Sequence, residues 1–188
     1  MCKKVGIGKI STYYFGAIFF LSVLSLNDVN GGILWSPPVN LSLPEKNAMS
    51  VQLSSSDCEH SHALWSRFDG SNFIVEARLN KKEAGWSKVV GLSMPGSNAF
   101  FASSASDSDN NTIAVWSRAN GTDSIIQAAY KPFYKEWRNP VDVSIKGLKK
   151  HSATKPQIAF DSDGNAFIVW QLYDGKTNQI QCAYKKRG

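Results

Sequence analysis

Three tryptophans in this chain are accompanied by similar polar residues. Two of them are followed by an arginine at the second position and by a glutamate or glutamine at the eleventh, and the third keeps part of this pattern. Tryptophan faces stack on sugar rings, and arginine, glutamate and glutamine hydrogen-bond sugar hydroxyls. The pattern predicts a glycan-binding site, whose candidate residues are Trp65, Arg67, Glu76, Trp116, Arg118, Gln127 and Trp170. The alternative is that the tryptophans pack in a core, and their regular repetition favours this role.

Other residues with catalytic or metal-binding side chains are interpreted as structural. Two aspartate pairs lie in turn segments, where aspartate accepts hydrogen bonds from its own backbone: Asp107/Asp109 and Asp161/Asp163. Calcium coordination within Asp161–Asn165 is an alternative, but the closing glutamate of an EF-hand loop is lacking. His60 and His62 have strand spacing without a third ligand nearby in sequence. We therefore predict no catalytic residue, metal ligand or cofactor, and expect the protein not to be an enzyme.

The six tryptophans form two periodic series. The first is spaced 51 and 51 residues apart, and each member opens the pattern Trp-x-x-x-Val-x-x-Ser. The second is spaced 51 and 54 residues apart, and an Asx-Gly pair follows each member. The members are Trp35, Trp86 and Trp137 in the first series and Trp65, Trp116 and Trp170 in the second. This periodicity predicts three repeats that begin near residues 35, 86 and 137.

Each repeat is predicted to consist of short strands. In the third repeat one apolar segment ends at the turn cluster Asp161–Asn165, and the next ends at Asp174-Gly175, a pattern typical of β-hairpins. The Trp-x-x-x-Val-x-x-Ser segment adds an outer strand to each repeat. We predict an all-β fold of three four-stranded propeller-type blades, which is half of a six-bladed propeller. A β-trefoil-like three-fold arrangement is the alternative.

The segment Pro156–Trp170, followed by Asp174-Gly175 and Ala183-Tyr184, resembles tandem repeats of exported bacterial proteins with a sialidase-like β-propeller. The resemblance implies this fold over residues 35–188. A sialidase also needs an arginine cluster, a Tyr/Glu nucleophilic pair and an acidic proton donor. Arginine is scarce in this chain, and Arg67 and Arg118 occupy equivalent positions of the first two repeats, which point in different radial directions, so we do not expect them to converge. A degenerate sialidase-like glycoside hydrolase fragment is therefore an alternative function.

The first thirty residues have the layout of a secretory signal. Lys3, Lys4 and Lys9 precede the apolar run Tyr13–Leu26, and polar residues follow. The run is shorter than the roughly 20 residues that a membrane-spanning helix needs, which favours a cleaved signal peptide. An uncleaved N-terminal anchor is the alternative. We predict a signal peptide over residues 1–30, a repeat domain over residues 31–188, and export to the periplasm, the cell surface or the medium.

Charge is unevenly distributed along the repeat domain. Residues 31–130 hold 7 basic and 9 acidic groups, whereas residues 131–188 hold 11 basic and 5 acidic groups. Such a basic end suits phosphate or an anionic glycan, or is a solvated surface, and no specific nucleic-acid motif accompanies it. Cys58 and Cys182 are candidates for a disulfide, but their sequence positions do not show that they meet.

The predicted function is that of an exported, non-catalytic module that binds glycans or another surface partner, and a purely structural or protein-interaction scaffold is a further alternative. Trp35–Ser42 is predicted to be an outer strand without a blade of its own, and the last blade lacks its outer strand. Two copies are therefore predicted to associate through their terminal blades and to form a six-bladed dimer.

Overall fold

The computed structural model describes residues 35–56, 60–145 and 151–187, and the predicted signal peptide and Cys58 lie outside these ranges. Within them the chain is all-β, as predicted. The described residues include no helix that is long and apolar enough to cross a membrane. The strands are β1 (Ala48–Ser55), β2 (His60–Phe68), β3 (Phe73–Lys81), β4 (Gly85–Trp86), β5 (Val90–Gly91), β6 (Ala99–Ser106), β7 (Thr112–Asn120), β8 (Asp123–Lys131), β9 (Val141–Asp142), β10 (Ser152–Phe160), β11 (Ala166–Tyr173) and β12 (Asn178–Lys185).

The strands form three antiparallel meanders. Meander 1 contains β1–β5, meander 2 contains β6–β9 and meander 3 contains β10–β12, and the long strands of each pair in chain order. A single parallel pair, Ser152 opposite Ser124, joins meanders 2 and 3 into one seven-stranded sheet. Meander 1 is a separate five-stranded sheet. Over the described ranges both sheets are open, and they form no closed barrel.

The fourth, outer strand of each predicted blade is the element that differs from expectation. Beside β3 and β8 the outer segment pairs with its neighbour only over the two-residue strands β4, β5 and β9.

The chain divides into two units, Met1–Val39 and Asn40–Gly188, and every strand belongs to the second. The described residues of the first unit, Trp35–Val39, are exposed and belong to no strand. The predicted strand over Trp35–Ser42 is therefore not formed within this chain.

The first strand of each meander has a β-bulge at the same place. The antiparallel register shifts between Met49 and Gln52, and equivalent shifts occur in β6 and β10. At each bulge one non-glycine residue has a left-handed backbone: Ser50 with φ of 57°, Phe101 with φ of 55° and Lys155 with φ of 53°. Bulges bend a strand and raise its twist. The repeated strain indicates that all three first strands are bent in the same way.

Replacing Ser50 by glycine is expected to raise the free energy of unfolding by about 0.5–1 kcal/mol. The left-handed conformation costs an L-residue about 1–2 kcal/mol, and glycine avoids this cost but loses more chain entropy on folding. Chemical denaturation measures the change. Gln52→Gly is the control, since Gln52 is exposed in the same strand and is not among the left-handed residues. A loss of stability in Ser50→Gly as large as that in the control would show that the bulge carries no strain.

Two equivalent apolar cores lie between successive meanders. The first joins Leu64, Val75 and Ala77 of meander 1 to Ala114 and Trp116 of meander 2. The second joins meander 2 to meander 3, through Ile113, Val115, Ile126, Ala153, Ile168, Trp170 and Leu172. Meander 2 therefore packs on both faces, and these two cores link the three meanders in chain order.

Candidate functional site

The candidate residues around Trp65 form a buried hydrogen-bonded group. Trp65 and Glu76 stand opposite each other on β2 and β3, and the indole Nε1–H donates to Glu76 Oε2 at 3.1 Å. Arg67 Nε donates to Glu76 Oε1 at 2.7 Å. Trp65 and Glu76 are each only 3% exposed. The structure thus brings these three residues together, and their polar groups are engaged with one another.

The equivalent residues of meanders 2 and 3 are arranged differently. Trp116 Nε1 donates to Gln127 Oε1 at 3.3 Å, but Arg118 is directed to the carbonyl oxygen of Pro95 at 3.4 Å. Trp170 Nε1 has no hydrogen-bond partner among the residues that the structure describes. Trp116 and Trp170 lie in the two cores, so the packing role is confirmed for them. The glycan-binding prediction for the seven residues stays a prediction, and an exposed surface for sugar stacking has to be sought elsewhere.

The aspartate turns have the structural role inferred from the sequence. Asp107 Oδ1 accepts hydrogen bonds from the backbone of Asp109 and Asn111, each at 2.9 Å. Asp161 repeats this arrangement with Asp163 at 3.0 Å and Asn165 at 2.8 Å. These bonds lower the pKa of Asp161, together with the Asn165 side-chain amide, which has the largest effect. Within the described ranges, no three His, Cys, Asp or Glu side chains are placed to hold a metal ion.

A cleft of about 360 Å³ opens between meanders 1 and 2. We call it cleft 1, and its lining residues are His60, Ala77, Leu79, Lys81, Ser87, Lys88, Val90, Lys131, Phe133, Tyr134, Lys135, Glu136 and Trp137. Aromatic rings of residues 133–137 form one wall. Phe133 meets His60 edge-on with ring centroids 5.1 Å apart, and lies 3.9 Å from the Tyr134 ring. Because Tyr134 is 91% exposed, this wall presents an aromatic ring to solvent.

Cleft 1 is strongly cationic. Four lysines line it against one glutamate, Glu136. Burial lowers the pKa of Lys131; the negative charge of Glu136 opposes this shift and the positive charge of Lys81 adds to it. An anion bound beside Lys131 would favour the charged ammonium and so offset the cost of its burial. The cleft is therefore suited to a ligand that carries a negative charge.

His62 lies behind the aromatic wall of cleft 1. Its ring meets Trp137 edge-on at 5.9 Å, and its Nε2 lies 3.1 Å from the Thr112 hydroxyl. Burial lowers the pKa of His62 to about 4, and the positive charges of Lys131 and His60 contribute to this shift. His62 is thus a neutral packing residue at neutral pH, in agreement with the structural interpretation of this histidine.

A second cleft of about 340 Å³ lies between meanders 2 and 3. We call it cleft 2, and its lining residues are Ile113, Ala128, Ala129, Tyr130, Arg138, Asn139, Val141, Val143, Ile168, Ala183, Tyr184 and Lys185. Two cations lie near the Tyr130 ring: the Arg138 guanidinium carbon is 5.1 Å from the ring centroid and Lys185 Nζ is 5.6 Å from it. Both distances are within the range of cation–π attraction.

The two clefts occupy equivalent places in the sequence repeat. The shared positions are Ala77 and Ala128, Leu79 and Tyr130, Ser87 and Arg138, Lys88 and Asn139, Val90 and Val141, and Lys131 and Lys185. The first five pairs are 51 residues apart and the last is 54 apart, as in the tryptophan series. The two clefts therefore share apolar positions and one lysine, and each also has an aromatic ring and at least one further cation at positions of its own.

The aromatic and cationic residues of the clefts were not among the candidates derived from the sequence. The polar residues that accompany the second tryptophan series occupy buried or half-buried positions instead. One sequence signal did point towards the clefts, since Lys131, Arg138 and Lys185 all belong to the basic last third of the chain. The excess of basic residues in this third does not show which of them share a surface.

Comparison of the sequence with models of known protein families and with curated proteins finds no match.

Proposed function

We propose that the protein is an exported, non-catalytic module that binds acidic glycans in clefts between propeller-type blades, each meander being one blade. The observation that carries this proposal is the repetition of one chemical arrangement between meanders 1 and 2 and between meanders 2 and 3. A single cationic groove is a common surface feature. Two grooves with apolar residues and a lysine at equivalent positions, each with an aromatic ring in its lining, are better explained by a repeated binding site.

The composition of cleft 1 supports a sugar ligand. The exposed ring of Tyr134 offers a flat apolar surface, and the ammonium donors of Lys88 and Lys135 line the same cleft. A pyranose has apolar C–H faces and a belt of hydroxyls, so it matches a ring bordered by donors. The volumes of about 360 and 340 Å³ fall at the lower end of the range of about 300–1,000 Å³ for small-molecule sites. One or two sugar rings is the ligand size that this volume supports.

The charge of both clefts supports an acidic sugar over a neutral one. Of the described residues, four lysines and a single glutamate line cleft 1, whereas Arg138 and Lys185 and no acidic residue line cleft 2. Hydrogen bonds to charged groups contribute about 1.5–3 kcal/mol, against about 0.5–1.5 kcal/mol for neutral ones. A sugar that carries a carboxylate or sulfate should therefore bind more tightly than its neutral counterpart.

A panel of matched saccharides tests this proposal. Digalacturonic acid differs from its neutral counterpart digalactose in its carboxylates, and sialyllactose differs from lactose in its acidic sugar. We expect titration calorimetry to detect binding of acidic members with about two sites per chain, and binding of neutral members to be at least about tenfold weaker. Equal binding of the neutral and acidic members would contradict the choice of an acidic ligand, and absence of binding to the whole panel would contradict the proposed function.

Replacing Lys131 by methionine is expected to remove one of the two binding sites and to leave the other. Methionine keeps the apolar stem of the side chain and lacks the charge, so the affinity of cleft 1 should fall about 10–100-fold. Titration calorimetry measures both the affinity and the number of sites. Lys176→Met is the matched control, because Lys176 is exposed in the β11–β12 turn and lines neither cleft. Equal losses in the two variants would indicate attraction to overall charge and not to cleft 1.

A further inference from the structure

In the part of the chain that the structure describes, the outer edge of β12 lacks the partner that the corresponding strands have. In meander 1, Leu92 N donates to Val75 O at 2.8 Å, and Val75 N donates to Ser93 Oγ at 2.9 Å. In meander 2, Val143 N donates to Ile126 O at 2.8 Å, and Ile126 N donates to Ser144 Oγ at 2.8 Å. The same two hydrogen bonds thus fasten the outer segment to the third strand in both meanders.

Ile180 is the residue of β12 equivalent to Val75 and Ile126. Val75 and Ile126 are fully buried, whereas Ile180 is 78% exposed. Among the described residues, β12 pairs with β11 alone. Its outer edge is therefore an open site for one more strand, of the length and pattern already seen twice.

Trp35–Ser42 has the sequence that this edge requires. It reads Trp-Ser-Pro-Pro-Val-Asn-Leu-Ser, and it matches the segments Trp86–Ser93 and Trp137–Ser144 at the tryptophan, valine, leucine or valine, and serine positions. Trp35 is 86% exposed and Val39 is 66% exposed. A segment with the sequence of an outer strand and an edge without its outer strand thus occur in one chain.

We propose that Trp35–Ser42 of a second copy of this chain adds to β12 as its outer strand. The two existing pairings fix the register, in which Val39 lies opposite Cys182 just as Val90 lies opposite Ala77 and Val141 opposite Ala128. Leu41 N then donates to Ile180 O, and Ile180 N donates to Ser42 Oγ. The inference rests on the blade arrangement of the proposed function and is independent of glycan binding.

Pro37 and Pro38 are compatible with this strand. In meander 1 the residues Asn80 and Lys81 pair with β4, and Glu76 and Ala77 pair with β5. The stretch between β4 and β5, residues 87–89, includes the positions equivalent to both prolines. Pro140 already occupies one of these positions in meander 2. Proline is tolerated in edge strands where no ladder bond is needed.

The exposed faces of the terminal meanders favour a second copy as the partner. On meander 3, Phe167 is 44% and Val169 is 42% exposed, whereas the equivalent Ile113 and Val115 of meander 2 are buried in the second core. On meander 1, Val51 is 67% exposed, whereas the equivalent Ala102 is buried in the first core. The last meander thus presents the surface that a following meander covers, and the first presents the surface that a preceding meander covers.

A second copy supplies both missing surfaces. If meander 1 of one copy packs on meander 3 of the other, and the reverse contact forms as well, the two contacts are related by two-fold symmetry. Six blades lie within the range of four to eight that closed propellers have. Two head-to-tail contacts close a ring, so no open edge is left for further addition.

An engineered disulfide tests the register directly. In the full chain with Cys2→Ala and Cys58→Ala, we add Val39→Cys, which should lie opposite the native exposed Cys182. Directly opposite residues of antiparallel strands have Cα atoms about 4.5–5.5 Å apart, within the range that a disulfide spans. We expect mild oxidation to convert most of the protein to a covalent dimer on a non-reducing gel. Asn40→Cys is the matched control, because its side chain points to the opposite face of the strand.

The outcomes separate the alternatives. A covalent dimer in Val39→Cys that is at least about tenfold more abundant than in Asn40→Cys, and that is lost with Cys182→Ser, supports the proposal. A disulfide within one chain, or equal cross-linking of the two variants, overturns it. Light scattering on the unmodified protein gives an independent check, since twice the chain mass supports the proposal and a stable monomer or an open-ended polymer overturns it. Neither readout depends on glycan binding, so a failure of the proposed function would leave both unchanged.

Discussion

Trp116→Ala is expected to lower the free energy of unfolding by about 3–5 kcal/mol. The indole is completely buried in the core between meanders 1 and 2, and its Nε1–H donates to Gln127. Alanine leaves a cavity there and removes the donor to the Gln127 amide oxygen. Because the core joins two meanders, the loss should be seen in global unfolding by urea, followed by both fluorescence and circular dichroism.

Tyr134→Ala is the comparison for this substitution. It also removes an aromatic ring, but the ring is 91% exposed, so the free energy of unfolding should change by less than about 0.5 kcal/mol. Acidic-glycan binding in cleft 1 should weaken in Tyr134→Ala, since the exposed ring is lost. If Trp116→Ala loses less than about 1 kcal/mol, the assignment of Trp116 to a packed core is wrong.

Acidification from pH 6.5 to pH 4 is expected to reduce stability by about 3 kcal/mol through His62. The pKa of this histidine is about 4 in the folded protein, against 6.5 for an unperturbed histidine such as that of the unfolded chain. Below pH 6.5 the unfolded chain therefore binds a proton that the folded chain does not, and the stability of the neutral folded form is lost progressively down to about pH 4. A pKa difference of about 2.5, at about 1.36 kcal/mol for each pKa unit, gives this magnitude.

The groups around His62 explain why its pKa is low and how the effect can be isolated. Burial has the largest effect on the pKa, and the positive charges of Lys131 and His60 lower it further. Nδ1 finds no hydrogen-bond partner within the described part of the chain. Hydrogen bonds lower the pKa of the carboxyl groups Asp69, Asp161 and Asp174 from 3.8, so their contribution is lost below about pH 4, outside this window. Urea unfolding at several pH values gives the free energy of unfolding as a function of pH. In His62→Gln this free energy should change less between pH 6.5 and pH 4 than in the unmodified protein. An equal pH dependence of the free energy of unfolding in the two proteins would show that His62 does not cause the loss of stability.

The hairpins and turns could be predicted from the sequence because their signals are local. Aspartate at the start of a tight turn accepts hydrogen bonds from backbone amides within four residues, as Asp161 does with Asp163 and Asn165. The left-handed glycines Gly70, Gly121 and Gly175 lie at the predicted Asx-Gly turns. These interactions depend on neighbours in the chain, so the residue types alone indicate them.

The bulges and the clefts could not be predicted in this way. The left-handed residues of the bulges are serine, phenylalanine and lysine, none of which is typical of that conformation. The clefts depend on the packing of one meander against the next, which places Lys131 near Ala77 and Lys185 near Tyr130. The sequence shows the period of the candidate tryptophans. Which face of a sheet borders a cleft depends on the packing between meanders, and the sequence does not show it.

The most direct test of the proposed function is a crystal structure of the protein with the acidic disaccharide that binds it best in the saccharide panel. We predict that the sugar occupies cleft 1 or cleft 2, with its acidic group within hydrogen-bond distance of Lys131 or Lys185 and, in cleft 1, a ring stacked on Tyr134. A sugar bound away from both clefts, with Lys131 and Lys185 free of contact, would contradict the proposal.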